Sequence, residues 1–215
     1  MKQVLDVFSR AQFLHQPRRR VSCTSGGPGG IIRAVPGDTS ILELQPRDRE
    51  ILETLTRRVC VLSIPQIART WWSESHQAER RAWRRLRQLE REGWVEVIRA
   101  MAHPELPLQH PHAIWYPGTA PANFRKLAGR LQERWCQPEI STPCVIGTEQ
   151  AGAAFSGHGG RAPQDSEVTH DVHLAAVYLL MRRELPTRAA SWVGEAALPV
   201  GQGIKVPDAL VRDGR

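Results

Sequence analysis

A long amphipathic segment in the middle of the chain carries the strongest secondary-structure pattern. At about 100° per residue, its apolar residues fall on one face of a helix and most of its arginines fall on the opposite side. The apolar residues of that face are Ala78, Ala82, Leu86 and Leu89. Gly93 follows, and glycine is common just after the end of a helix. The pattern predicts a helix that ends near Glu92.

Shorter apolar patterns flank this helix on both sides. Upstream, Pro46 begins a run with helical spacing, residues 60–62 are typical of a short strand, and Ser63 is placed to cap a second helix. Downstream, residues 94–98 alternate like a half-buried strand, and residues 113–116 are the predicted partner across a proline-broken loop. This order predicts a winged helix-turn-helix, with the two downstream strands as its wing.

Arginine dominates the charge of the predicted long helix. Residues 80–91 contain six arginines and one acid, in a chain whose net charge is +7 and whose pI is 9.9. The planar guanidinium binds phosphate or the edge of guanine in a bidentate manner, whereas the simpler alternative is a solvated helix face paired by its own glutamates. We therefore predict that the chain binds double-stranded DNA. The predicted contacts are Gln77, Arg80, Arg81, Arg84, Arg87 and Arg91 on the helix, and Arg99 near the wing loop.

The remaining sequence divides by composition into further segments. Residues 1–40 are predicted to be a flexible leader and residues 41–117 the winged-helix domain. Residues 118–136 are predicted to form a linking helix, and residues 137–167, which are rich in Pro, Gly, Ser and Gln, a linker. Residues 168–215 are predicted to form a second, partial α/β unit of one helix and two short strands.

Several function classes are disfavoured by composition. No apolar run approaches the roughly 18 residues of a membrane span, and the N-terminal stretch lacks the apolar core of a signal peptide, so a cytoplasmic location without membrane contact is expected. The four cysteines lack a C-x-x-C spacing, and no metal or cofactor is expected. The amphipathic linking helix suggests pairing with a second copy, which makes homodimerisation a hypothesis.

Six segments, in this order, resemble the replication-relaxation family of plasmid and mobile-element proteins. The segments are LQPRDREILETL, ERRAWRRLRQLEREGWVEV, IWYPGT, THDVHLAAVYL, WVGEAAL and VPDALV. The resemblance spans about residues 41–211. It implies a mainly α fold with a small β-wing, in which a winged helix-turn-helix precedes a restriction-nuclease-like α/β unit, here C-terminally shortened. It also implies a role in plasmid replication, mobilisation or their control.

Two other functions remain open. A dimeric winged-helix transcription regulator would use the same DNA interface. A Mg²⁺-dependent nuclease would need clustered carboxylates, with Glu195 and Asp208 as candidates, but no (Asp/Glu)-x-Lys motif follows Asp208. His170, Asp171 and His173 do not all share one helix face, which disfavours a metal site there. We therefore expect a DNA-binding protein and not an enzyme.

Overall fold

The computed structural model describes residues 42–72, 76–105, 108, 116, 118–121, 123–199 and 206–211. By its internal contacts the chain separates into two units, and every helix and strand of the described residues belongs to the unit formed by residues 42–112 and 123–215. In the other unit the described residues form a turn, in which the Thr119 amide donates to the Tyr116 carbonyl at 3.1 Å. The predicted leader, residues 1–40, lies outside the described residues.

The fold is mixed α/β, and about half of the described chain is helical. Its elements are α1 (Pro46–Arg57), β1 (Leu62–Ser63), α2 (Ile64–Trp71), α3 (Ala78–Arg91), β2 (Val95–Ala102), α4 (Phe124–Trp135), β3 (Ile140–Gly147), α5 (Glu149–Ala154), α6 (Val168–Glu184), α7 (Pro186–Ala190), β4 (Trp192–Gly194), a 3-10 turn (Glu195–Ala197) and β5 (Ala209–Val211). The helices predicted near residues 46, 63 and 78 and the strand predicted at residues 94–98 are confirmed.

Local signals in the sequence account for the ends of the first helices. Pro46 occupies the first turn of α1, where its missing N–H costs nothing. At the start of α2 the Ser63 hydroxyl accepts from the Gln66 amide, and the Gln66 side chain accepts from the Ser63 amide at 2.8 Å. After α3 the chain turns at Gly93, whose φ of +76° is readily adopted only by glycine.

A three-stranded antiparallel sheet forms the centre of the unit, in the order β1-β3-β2. β3 pairs with β2 from Val95↔Gly147 to Ala102↔Ile140, and β1 pairs with the other edge of β3. The expected partner of β2, residues 113–116, lies outside the described residues apart from Tyr116. The prediction of a linker was wrong for residues 140–154, which form the central strand and α5. Only the last four residues of β3 are buried, and its first half is exposed or partly exposed, as in a loop.

Helices cover both faces of this sheet. On one face, α1, α2 and α3 pack with β1, β2 and β3 in the larger apolar cluster, which includes Leu52, Leu62 and Val145. On the other face, Cys144 and Ile146 pack against the start of α6 in a smaller cluster. Because side chains alternate along β3, Val145 faces the α1–α3 layer, whereas Cys144 and Ile146 face the start of α6.

α6 is joined to the α1–α3 layer by packing and by hydrogen bonds. The buried Gln66 side chain donates to the Val172 carbonyl at 2.8 Å. Tyr178 belongs to the larger apolar cluster and meets the Trp192 ring edge-on, with ring centroids 5.5 Å apart. The Trp192 indole donates to the Arg58 carbonyl at 2.9 Å, which anchors the small β4–β5 ribbon beside α1. Among the described residues, no helix is both long and apolar enough to cross a bilayer.

Candidate nucleic-acid interface

The apolar face of α3 fixes the direction in which its arginines point. The four apolar residues of this face are at most 5% exposed and belong to the larger cluster; they are Ala78, Ala82, Leu86 and Leu89. Because a helix buried on one side must present its opposite side outward, the arginine row faces away from the core. The helical-wheel prediction for α3 is confirmed by this burial.

Every predicted contact residue of α3 is exposed. These residues are Gln77, Arg80, Arg81, Arg84, Arg87 and Arg91. Within the described part of the chain, Arg80, Arg81 and Arg84 form no side-chain hydrogen bond or ion pair, so their guanidinium groups are available to a partner. Gln77 lies just before the helix, where its carbonyl accepts from the Arg81 amide at 2.9 Å.

Arg87 and Arg91 are held by contacts within α3. The Arg87 guanidinium pairs with Glu90 at 2.7 Å and lies 5.3 Å from the centroid of the Trp83 ring. Arg91 donates from Nε to the Arg87 carbonyl at 3.2 Å. The Arg87–Glu90 pair is more than half exposed on the arginine side, so its net contribution to stability is small and a polyanion would compete with Glu90 for it.

Arg85 has a structural role that sets it apart from the other arginines of α3. It is 14% exposed and forms an ion pair with Asp48, which is fully buried at the start of α1. Its guanidinium also donates to the Glu43 carbonyl at 2.8 Å and to the Gln88 side chain at 3.0 Å. Arg85 therefore binds α3 to α1, and it was not among the predicted DNA contacts.

Arg99 lies on β2 and is exposed. Side chains alternate between the faces of a strand, so Arg99 shares the sheet face of Val95 and Val97, which pack in the cluster that includes α3. Its cross-strand partner is Pro143 on β3. The structure thus places Arg99 on the same side of the sheet as the arginine helix.

A cleft beside α3 was not predicted from the sequence. It has a volume of about 320 Å³, and we term it the arginine cleft; its walls are Gln45, Arg47, Trp72, Arg81, Arg84, Arg85 and Gln88. The Arg47 guanidinium lies 4.0 Å from the centroid of the Trp72 ring, in cation–π geometry. The wall residues come from α1, the end of α2 and α3, so no local pattern brings them together.

The carboxylates considered for catalysis lie near one another at the start of α6 and the β4–β5 ribbon. His170 Nε2 is 3.4 Å from Asp208 Oδ1, and the Glu195 amide donates to the Asp208 carbonyl at 3.0 Å. His173 is separate from them, because its Nε2 lies 3.1 Å from the Pro104 carbonyl. No group of three or more His, Cys, Asp or Glu side chains that could hold a metal ion occurs in the described ranges.

Among the carboxyl groups of this region, Asp171 has a raised pKa. Burial raises the pKa of Asp171 from an ordinary value of 3.8 to about 6. The neighbouring His170 opposes that rise, whereas Glu167, Glu195 and Asp208 add to it. This shift follows mainly from desolvation of the carboxyl, and it identifies no reacting group.

Comparison of the chain with protein-family models, with curated proteins and with solved structures finds no match. The function of the chain is therefore inferred from its own geometry and charge.

Proposed function

We propose that the chain binds double-stranded DNA through α3, which acts as the recognition helix of a winged helix-turn-helix. The order along the chain is α1, β1, α2, α3, β2, α4 and β3, and the sheet order β1-β3-β2 places β3 in the centre. An α-helix fits the major groove of B-DNA when one face carries its contacts and the other is buried. In this arrangement β2 and β3 form the wing.

The observation that carries the proposal is the exposed arginine face of α3. Arg80, Arg84, Arg87 and Arg91 follow one another at spacings of three and four residues, which is one side of a helix. Arginine can contact a phosphate or the O6 and N7 atoms of guanine with two parallel hydrogen bonds. Because Arg80 and Arg84 make no competing contact within the described chain, they would bind DNA without first breaking a pair.

For the biological process, we propose replication or mobilisation of a plasmid or mobile element, or its control. This part of the proposal is supported by the resemblance of six ordered segments, including ERRAWRRLRQLEREGWVEV, to the replication-relaxation family. We propose that this DNA binding takes place in the cytoplasm and involves no catalysis by the chain.

Fluorescence anisotropy of a labelled duplex, titrated with the full chain at several salt concentrations, tests the DNA proposal. We expect a steep salt dependence, with a log–log slope of about −0.9 for each phosphate contact. Arg80→Ala and Arg84→Ala should each weaken binding, by about 1–3 kcal/mol for a side chain that contacts a base. Arg49→Ala, which removes an exposed arginine from α1, is the matched control. Equal affinities for all three variants and the parent chain would reject α3 as the interface.

Self-association through α4 is proposed as a feature of the same DNA-binding protein. Asn123 caps this helix by accepting from the Lys126 amide at 2.9 Å, and Leu127 is buried within the chain. Phe124, by contrast, is 61% exposed. Sedimentation velocity over a wide concentration range should show a dimer that Phe124→Ser weakens. A monomer at all concentrations would exclude the dimer and leave DNA binding untouched.

A further inference from the structure

We infer that the arginine cleft is a phosphate-binding site beside the outward row of arginines on α3, with which it shares Arg84. The shared chemistry of its ligand is a phosphate group, carried either by the DNA backbone or by a free phosphorylated small molecule. The DNA alternative rests on the proposed function, whereas the small-molecule alternative does not. Arg47 is the residue that distinguishes the cleft, because it lies on α1 and outside the predicted recognition helix.

Charge is the first argument for an anionic ligand. Four of the wall residues are arginines, and none of the described wall residues is acidic. Asp48, the carboxylate beside Arg85, is already engaged by that arginine and by the Gln45 amide at 2.8 Å. The positive charges of Arg47, Arg81 and Arg84 therefore remain uncompensated by the described neighbours of the cleft, and an anion placed among them would gain from all three.

The fixed position of Arg47 is the second argument. Its guanidinium stacks on Trp72, which is 8% exposed, and donates to the Gln45 side chain at 3.1 Å and to the Trp71 carbonyl at 3.5 Å. A guanidinium has five N–H donors, and these two contacts leave others for a ligand. The side chain is therefore largely ordered before binding, which reduces the entropy lost when it binds.

The third argument is the chemistry of the walls. Arg81 and Arg84 are exposed residues of α3, three positions apart, so they project from neighbouring turns toward the same cleft. Guanidinium groups that line one cleft match the several acceptor oxygens of a phosphate, which accept charge-assisted hydrogen bonds in pairs. A single carboxylate ligand would satisfy fewer of these donors. The cleft therefore favours a phosphate over a simple carboxylate.

The first arm of the test uses inorganic pyrophosphate as the probe. A ³¹P NMR titration of the full chain should show saturable binding, at an ionic strength held constant with sodium chloride. Arg47→Gln and Arg81→Gln should each weaken it at least fivefold, and Arg49→Gln, which removes the same charge from α1, should leave it within twofold. Arg81→Gln alters an exposed side chain without described contacts, so it stays informative if Arg47→Gln disturbs packing against Trp72.

The second arm measures the salt dependence of duplex binding for the same variants. If a backbone phosphate occupies the cleft, Arg47→Gln should reduce the slope by about 0.9 and Arg49→Gln should not. Pyrophosphate binding with an unchanged slope would identify a free phosphorylated molecule as the ligand. No pyrophosphate binding, together with unchanged slopes and intact DNA binding, would overturn the cleft alone. Pyrophosphate binding by a chain that binds no duplex would overturn the proposed DNA function alone.

Discussion

Arg85 Nη2 lies 2.6 Å from Asp48 Oδ2, and Arg85 Nε lies 3.1–3.2 Å from both oxygens of the same carboxylate. Asp48 is completely buried at the start of α1, while Arg85 lies in the middle of α3. The pair therefore fixes the position of the arginine helix relative to α1. It also leaves the charge of Arg85 neutralised, so the unpaired positive charge of α3 lies mainly on Arg80, Arg81 and Arg84.

Removing Arg85 should destabilise the fold strongly. Arg85→Met would leave the Asp48 carboxylate buried without its counter-charge, which costs about 3–5 kcal/mol. Arg84→Met is the matched control, since the neighbouring arginine is exposed and its loss should change stability by about 0.5 kcal/mol or less. Urea denaturation monitored by circular dichroism measures both. Similar free energies of unfolding for the two variants would contradict a structural role for the Arg85–Asp48 pair.

Gln66 should be important for the attachment of α6. Its fully buried side chain accepts from the Ser63 amide and donates to the Val172 carbonyl, both at 2.8 Å. Gln66→Ala would leave both backbone groups without these partners, at about 1–3 kcal/mol for each. Gln150→Ala, which removes an exposed glutamine, should have almost no effect. Hydrogen exchange should show faster exchange in α6 for Gln66→Ala, and an unchanged α6 would argue against this link.

Gly159 should not tolerate even one methyl group. A Cβ at this position would lie 2.0 Å from the Thr148 carbonyl oxygen and 2.6 Å from its carbon, so the backbone would have to move. We expect Gly159→Ala to lower stability by about 1–3 kcal/mol. Gly129→Ala offers the opposite result, because nothing lies within 4 Å of its added Cβ and alanine favours helix α4 by about 1 kcal/mol. Thermal melts of the two variants should therefore shift in opposite directions.

Asp171 should make stability fall as pH rises. Its pKa is about 6 in the folded chain and 3.8 ordinarily, so near pH 5 the unfolded chain has lost a proton that the folded chain retains. The stabilisation is complete below about pH 4 and is lost as pH rises through 6. Asp171→Asn should match the parent chain near pH 4 and exceed it at pH 8 by about 2 kcal/mol, a value reduced for partial exposure. A difference that does not vary with pH would contradict burial as the cause.

The helices of the α1–α3 layer could be predicted because their signals are local. Pro46, the Ser63–Gln66 cap and Gly93 mark helix ends within a few residues, and the buried face of α3 follows from its period. The exposure of the predicted α3 contacts was predictable for the same reason. When four apolar residues bury one side of a helix, the residues on the opposite side must face solvent.

β3 and the arginine cleft could not be predicted because both depend on distant partners. Only four consecutive residues of β3 are buried, and its pairing with β2 spans the whole of residues 103–139. Arg47 resembles any exposed arginine in the first turn of a helix until Trp72 is placed beside it. The position of α6 against the sheet likewise depends on a hydrogen bond from Gln66 to Val172, which no periodicity indicates.

The central position of β3 has a consequence for how the chain acquires its structure. β1 and β2 leave the ribosome well before β3, and neither has its sheet partner until residue 147 has been made. Until then their backbone groups and the apolar residues beside them remain accessible to other chains, a state that promotes aggregation. Pairing across so long an interval also raises contact order, which slows folding. A nascent chain released before residue 140 would therefore contain the complete arginine helix without the strand that completes the sheet behind it.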